Sequence, residues 1–166
     1  FENKALSLIT IKKYKEAVEA TDGALGTSKT SNLYYIKGVA QDSLMDYQNA
    51  SYSFNRAVFY DSKNVKAHLG AAFTFAKQNE YDKAMASMDK ALALDANNVE
   101  ALLVRVNINL EHKNATKAVD DLTKIITLNP EITKYYVLRG DVYQAINQHP
   151  NAIADYSKAI QMNKED

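Results

Sequence analysis

Apolar residues along the chain recur at three- and four-residue steps, within stretches divided by short polar turns. Between Val65 and Gln78 the recurring positions are His68, Leu69, Ala72, Phe73, Phe75 and Ala76. Between Tyr81 and Leu94 they are Tyr81, Ala84, Met85, Met88, Ala91 and Leu92. Side chains spaced in this way share one face of an α-helix. Asn79-Glu80 lies between the two stretches and predicts a tight turn. Strands are not expected, because period-two alternation is missing and the helix formers Ala, Lys, Leu and Gln dominate. Pro150 fits the first turn of a helix, where its missing N–H has no partner to lose. Pro130 follows a helix expected to stop near Leu128. Asp61-Ser62, Asp95-Ala96-Asn97-Asn98 and Asn129-Pro130 supply the other breaks. The chain therefore reads as ten helices, the first of them shortened.

A second, longer period overlies the first. Ala50, Ala84, Ala118 and Ala152 fall 34 residues apart. Four residues after each comes a large side chain, Phe54, Met88, Leu122 or Tyr156, and seven after each comes Ala57, Ala91, Ile125 or Ala159. Equal segments in register predict a stack of two-helix units, each resting on its neighbours, in place of one closed globule. The units are 31–64, 65–98, 99–132 and 133–166, preceded by a partial one over 1–30 in which Ala17 and Ala24 hold the alanine places. The junction near Gly26–Thr30 is one residue short. No linker or low-complexity run divides residues 1–166, which read as a single all-α domain. Gly38, Ala72 and Gly140, eight residues into their units, are expected to face Ala50, Ala84 and Ala152 where paired helices cross. In the unit 99–132 Val106 takes that place opposite Ala118.

Composition narrows the function. The 20 Lys and Arg balance 20 Asp and Glu, so the total gives no support for a nucleic-acid partner. Cysteine is absent, which removes disulfides and thiolate metal sites. No apolar run approaches the ~20 residues that span a bilayer, so membrane insertion is not expected. The chain starts at Phe1 without Met, which points to a piece of a longer or processed protein and leaves the compartment open. His68, His112 and His149 lack metal-ligand spacing; His68 is expected in the core, the other two near turns. No phosphate-binding glycine loop or nucleophile elbow occurs, so neither a cofactor nor catalysis is expected. The pairs Asp120-Asp121 and Lys12-Lys13 read as solvated helix faces. The eleven tyrosines read as packing residues.

These segments resemble the tetratricopeptide repeat family over essentially the whole chain. Tyr136, Gly140, Tyr143, Ala152, Tyr156 and Ala159 stand in that family's signature places, as do Tyr34, Gly38, Ala50, Phe54 and Ala57. His68, Leu102, Gln41 and Asn109 depart from the usual aromatic there. The resemblance implies a right-handed superhelical solenoid of antiparallel helix pairs, about four and a half to five repeats long. It also implies a concave groove, lined by first helices, that binds a peptide or partner protein as an adaptor. Mapped here, the groove positions include Asn32, Tyr35 and Val39; Lys66, Leu69 and Phe73; Leu103 and Asn107; and Lys134, Val137 and Asp141. The carboxylate clamp of family members that bind chaperone C-termini is missing, because Tyr35/Val39 and Leu69/Phe73 cannot hold a carboxylate. The groove is instead expected to be apolar in its middle and polar at its rim, suited to an apolar segment or an amphipathic helix. The alternative is self-assembly or intramolecular docking through the terminal repeat, whose last helix presents Ile153, Tyr156 and Ile160, with a homo-oligomer as one outcome.

Overall fold

The computed structural model describes residues 2–165. Ten helices and no strand occur among them: α1 (Glu2–Thr10), α2 (Tyr14–Leu25), α3 (Ser31–Ser43), α4 (Tyr47–Tyr60), α5 (Val65–Lys77), α6 (Tyr81–Leu94), α7 (Val99–Glu111), α8 (Ala115–Leu128), α9 (Thr133–Ala145) and α10 (His149–Glu165). Successive helices pack as antiparallel pairs, and α1, α3 and α5 neighbour one another as first helices of their pairs. The chain forms two compact units, one up to Ala96 and one from Asn97 on. Asp166, the last residue of the fifth repeat, lies outside the described residues.

Several helix starts and the ends of the first helices have a local cause. The side chains of Thr30, Asp46, Asn64 and Asn98 accept hydrogen bonds from backbone N–H groups three residues on, satisfying donors that a helix start leaves open. Inside every repeat the first helix ends on a non-glycine residue in the left-handed region: Lys12, Met45, Asn79, Lys113 and Asn147, with φ of 59–60°. The next residue's N–H then reaches back five residues to a helix carbonyl, as Asp46 does to Gln41 at 2.9 Å and Asn114 to Asn109 at 2.7 Å. This closure satisfies the last carbonyls and turns the chain into the second helix. Lys12 and Lys13 therefore lie in a turn, Lys13 being the residue that precedes α2, and not on the helix face expected for them.

The second-helix alanines Ala17, Ala50, Ala84 and Ala118 are fully buried, and Ala152 nearly so. The glycines meet something larger than an alanine methyl. A methyl group at Gly38 would lie 2.7 Å from the Phe54 ring, and one at Gly70 would lie 2.5 Å from the same ring. At Gly140 it would lie 2.7 Å from Tyr156. The small position thus makes room for the bulky residue sixteen places later, a correction to the alanine pairing. The same sixteen-residue spacing joins Ala72 to Met88 and Val106 to Leu122, all four of them fully buried.

Several polar groups in the interior are matched. His68 is buried, with Nε2 3.0 Å from the Ser62 carbonyl, and Gln41 accepts from the buried Ser53 hydroxyl at 2.6 Å. Asp121 is also buried, contrary to the solvated reading, because Arg105 of α7 grips both of its oxygens at 2.8 and 2.6 Å. Arg139 holds Asp155 in the same two-pronged way at 2.8 and 2.7 Å. A planar guanidinium matches both carboxylate oxygens, which a lysine could not do.

Candidate functional site

Side chains on the first helices divide into those used for packing and those left accessible. In the first unit, Asn32 on α3 donates to the Glu2 carboxylate at 2.7 Å, tying α3 to α1. Tyr35 and Val39 are half-buried against the cluster of Ala50, Phe54 and Ala71, and the Tyr35 ring lies 5.9 Å from that of Phe54. Leu69 on α5 is only 6% exposed and belongs to the core. Phe73 and Lys66 remain exposed; the Lys77 ammonium stands 5.1 Å from the Phe73 ring centre. Asp42, at the end of α3, is half-buried with one carboxylate oxygen out of reach of any hydrogen-bond donor. Burial raises its pKa, and the charge of Lys77 offsets this only in part.

The second unit brings its candidates together around a recess of about 480 Å³. Leu103 of α7 forms one wall; Lys134, Tyr135, Val137, Leu138 and Asp141 of α9 form the other. The lining is mostly hydrocarbon, with a charge of each sign on α9. Lys134 and Asp141 stand seven residues apart, two helical turns, or ~10 Å along the axis. The Lys134 ammonium lies 5.1 Å from the Tyr135 ring centre. Asp141 accepts a hydrogen bond from the Tyr156 hydroxyl at 2.8 Å, which raises the pKa of that tyrosine. Asn107 is exposed on α7 and does not line this recess. Tyr135 and Leu138 also line the recess, although neither holds one of the expected groove positions. Their signal was the apolar pair flanking Val137, three residues apart on one helix.

The chemistry available is burial and charge pairing. Among the described residues, no three His, Asp or Glu side chains converge as a metal site would require, and no helix is long and apolar enough to cross a membrane.

No curated protein matches the chain in sequence. Solved structures do match in fold. MamA residues 41 to the end from Desulfovibrio magneticus RS-1 superposes with a TM-score of 0.83 at 18% identity, over 98% of this chain and 93% of that one. YrrB, described as a TPR protein with an unusual peptide-binding site, gives 0.74 at 19% identity, over 96% and 83%. A tetratricopeptide repeat protein from Parabacteroides merdae ATCC 43184 gives 0.79 at 19% identity, over 97% of this chain and 63% of that one. At such identities the likeness is one of fold. Tetratricopeptide repeat family models match residues 37–99, 69–131 and 133–166. With more than half of its length matched repeat by repeat, and the helix hairpins present where those repeats lie, the protein belongs to the tetratricopeptide repeat family.

Proposed function

We propose that the protein is a non-catalytic adaptor that holds a peptide segment of a partner protein against its first helices. The observation that carries this reading is the apolar recess between Leu103 and the α9 side chains, flanked by Lys134 and Asp141. An aliphatic or aromatic anchor entering it would leave water for hydrocarbon walls, gaining ~25 cal/mol for each Å² of apolar surface covered. The two charges would set the direction of the segment, pairing an acidic group at one end and a basic group at the other. In the first unit, Phe73 with Lys66 and Lys77 offers a smaller contact of the same kind. Leu69 is buried and offers a partner little surface. The fold resemblance to YrrB is consistent with peptide binding without placing it.

The test is selection of peptides from a random displayed library against the whole chain, followed by titration into wild type and into Leu103→Arg/Val137→Asp. Selected peptides should carry a bulky apolar residue, and the double variant should bind them about tenfold or more weakly, a loss of ~1.4 kcal/mol, with unchanged helicity. Equal binding by the variant would remove the recess from the function.

Self-association through α10 has its own observation. Ile153 and Ile160 are 65% and 56% exposed, whereas Val119 and Ile126, one repeat earlier, are half-buried and buried. A further helix stacked there would cover this face. Sedimentation equilibrium across a hundredfold concentration range tests it: a second copy would give a rising mass that Ile153→Glu abolishes.

A further inference from the structure

The second helix of the second repeat is unlike the others in charge. Over fourteen residues, Tyr47–Tyr60, its one charged side chain is Arg56. Tyr52, Arg56, Phe59 and Tyr60 stand at i, i+4, i+7 and i+8, one face of the helix. Tyr34 joins them from α3, its ring stacked on that of Tyr60 at 5.4 Å and 9°. Phe59 meets Tyr60 edge-on at 5.3 Å. The guanidinium carbon sits 4.8 Å from the Phe59 ring centre, 5.2 Å from Tyr60 and 5.6 Å from Tyr34. Phe59 and Tyr52 nevertheless remain 71% and 62% exposed.

The chain has three arginines, and Arg56 differs from the other two. Arg105 and Arg139 each spend two donor groups on a buried aspartate. Arg56 has no carboxylate partner among the described residues; Nη2 donates to the Tyr60 hydroxyl at 3.1 Å, and the Tyr34 hydroxyl also interacts with the guanidinium. Its Nε is buried without an acceptor. Aromatic rings hold the guanidinium in place while leaving most of its donors unspent, at the centre of exposed apolar surface. Such surroundings strengthen a charged hydrogen bond to an incoming anion, and rigid Arg and Tyr side chains concentrate binding energy in interfaces.

We propose that this arginine-centred aromatic patch docks an acidic peptide segment, seating one carboxylate on Arg56 and an adjoining apolar side chain against Phe59 and Tyr52. A single guanidinium on an otherwise uncharged helix balances a monoanion, whereas a phosphate group carries nearly twice that charge. The guanidinium at the centre of the rings favours an anionic ligand over a neutral sugar. The patch shares no residue with the recess on α9, so it stands whether or not the adaptor reading of that recess does.

Three arginines give three side-chain Nε–H signals in a nitrogen–proton NMR spectrum, assignable by Arg→Lys substitution, and they allow a direct test on the whole chain. The probes are blocked tripeptides: acetyl-Glu-Phe-Glu-amide, acetyl-Gln-Phe-Gln-amide and acetyl-Glu-Gly-Glu-amide. The Arg56 signal should move saturably with the first, with an affinity of about 1 mM or tighter, while Arg105 and Arg139 stay still. The uncharged and the glycine peptides should bind about tenfold more weakly. Arg56→Gln and Phe59→Ala, at unchanged helicity, should each abolish or weaken the response of the Tyr52 ring signals. No saturable shift, or equal shifts with the glutamine peptide, overturns the proposal. So does an equal response to glucuronic acid, which would assign the patch to carbohydrate. A concentration-dependent dimer lost in Arg56→Gln would assign it to a second copy and overturn it likewise.

Discussion

A side chain in the left-handed region crowds its own carbonyl, at a cost of about 1–2 kcal/mol for most residues and less for Asn. Met45 adopts φ 60° while 74% exposed, so little packing offsets that cost. Met45→Gly is expected to stabilise the protein by ~0.5–1 kcal/mol in urea unfolding, the gain being reduced by the extra freedom of glycine in the unfolded chain, whereas Asn79→Gly should change it little. Asp42 gives a pH-dependent counterpart. Burial raises its folded pKa above the ordinary 3.8, so the folded state holds its proton more tightly than the unfolded one. Stability from this group is therefore greatest in acid and falls as pH rises through the window between the two pKa values. Asp42→Asn should raise the melting temperature at pH 7 and lose that advantage near pH 3. At this scale much was readable in advance. His68 in the core follows from its place in an apolar face, and the stop at Leu128 from Asn129-Pro130. Asp121 was not readable, because the cation that buries it lies sixteen residues away on another helix, and the aromatic setting of Arg56 was hidden by treating tyrosines as packing residues.

Helix pairs here are fitted by matching a vacancy on one helix to a bulk on another. Phe54 of α4 projects between Gly38 of α3 and Gly70 of α5, so one ring holds three helices in register. Gly70→Ala must displace that ring and is expected to cost ~1–3 kcal/mol by overpacking. Gly23→Ala, in an exposed turn of α2 where a methyl would meet nothing within 4 Å, should instead stabilise by up to ~1 kcal/mol through helix propensity. The contrast separates crowding from glycine's general effect, and Phe54→Leu should restore part of the loss in Gly70→Ala. The 34-residue spacing made Gly38 visible as a small position but attached it to Ala50. The actual neighbour lies one helical turn further on, and Gly70 stood outside the pattern altogether. A repeat alignment compares equivalent positions, whereas this contact joins non-equivalent positions of adjacent repeats.

Across the whole molecule, stability is expected to be a sum of repeats and the interfaces between neighbours. Destabilisation should therefore spread locally. In native-state hydrogen exchange, Gly70→Ala should lower the protection of α3, α4 and α5 most and leave α9 and α10 nearly unchanged. Uniform loss across all ten helices would indicate one cooperative block. The all-α stack itself was legible because ten helical faces repeat at a fixed interval, and the family followed from the same residues. The recess on α9 was half legible: Leu103, Val137, Lys134 and Asp141 came from repeat positions, while Tyr135 and Leu138 needed the folded helices. The shared ring of Phe54 also bears on how such a chain can be inherited. Gene recombination between relatives would be tolerated at junctions that keep Gly38, Phe54 and Gly70 on the same parental fragment. A crossover between Phe54 and Gly70 that imports a bulkier residue would part the key from half its lock. The heritable module thus overruns the boundary between 31–64 and 65–98 that the alanine spacing marks out.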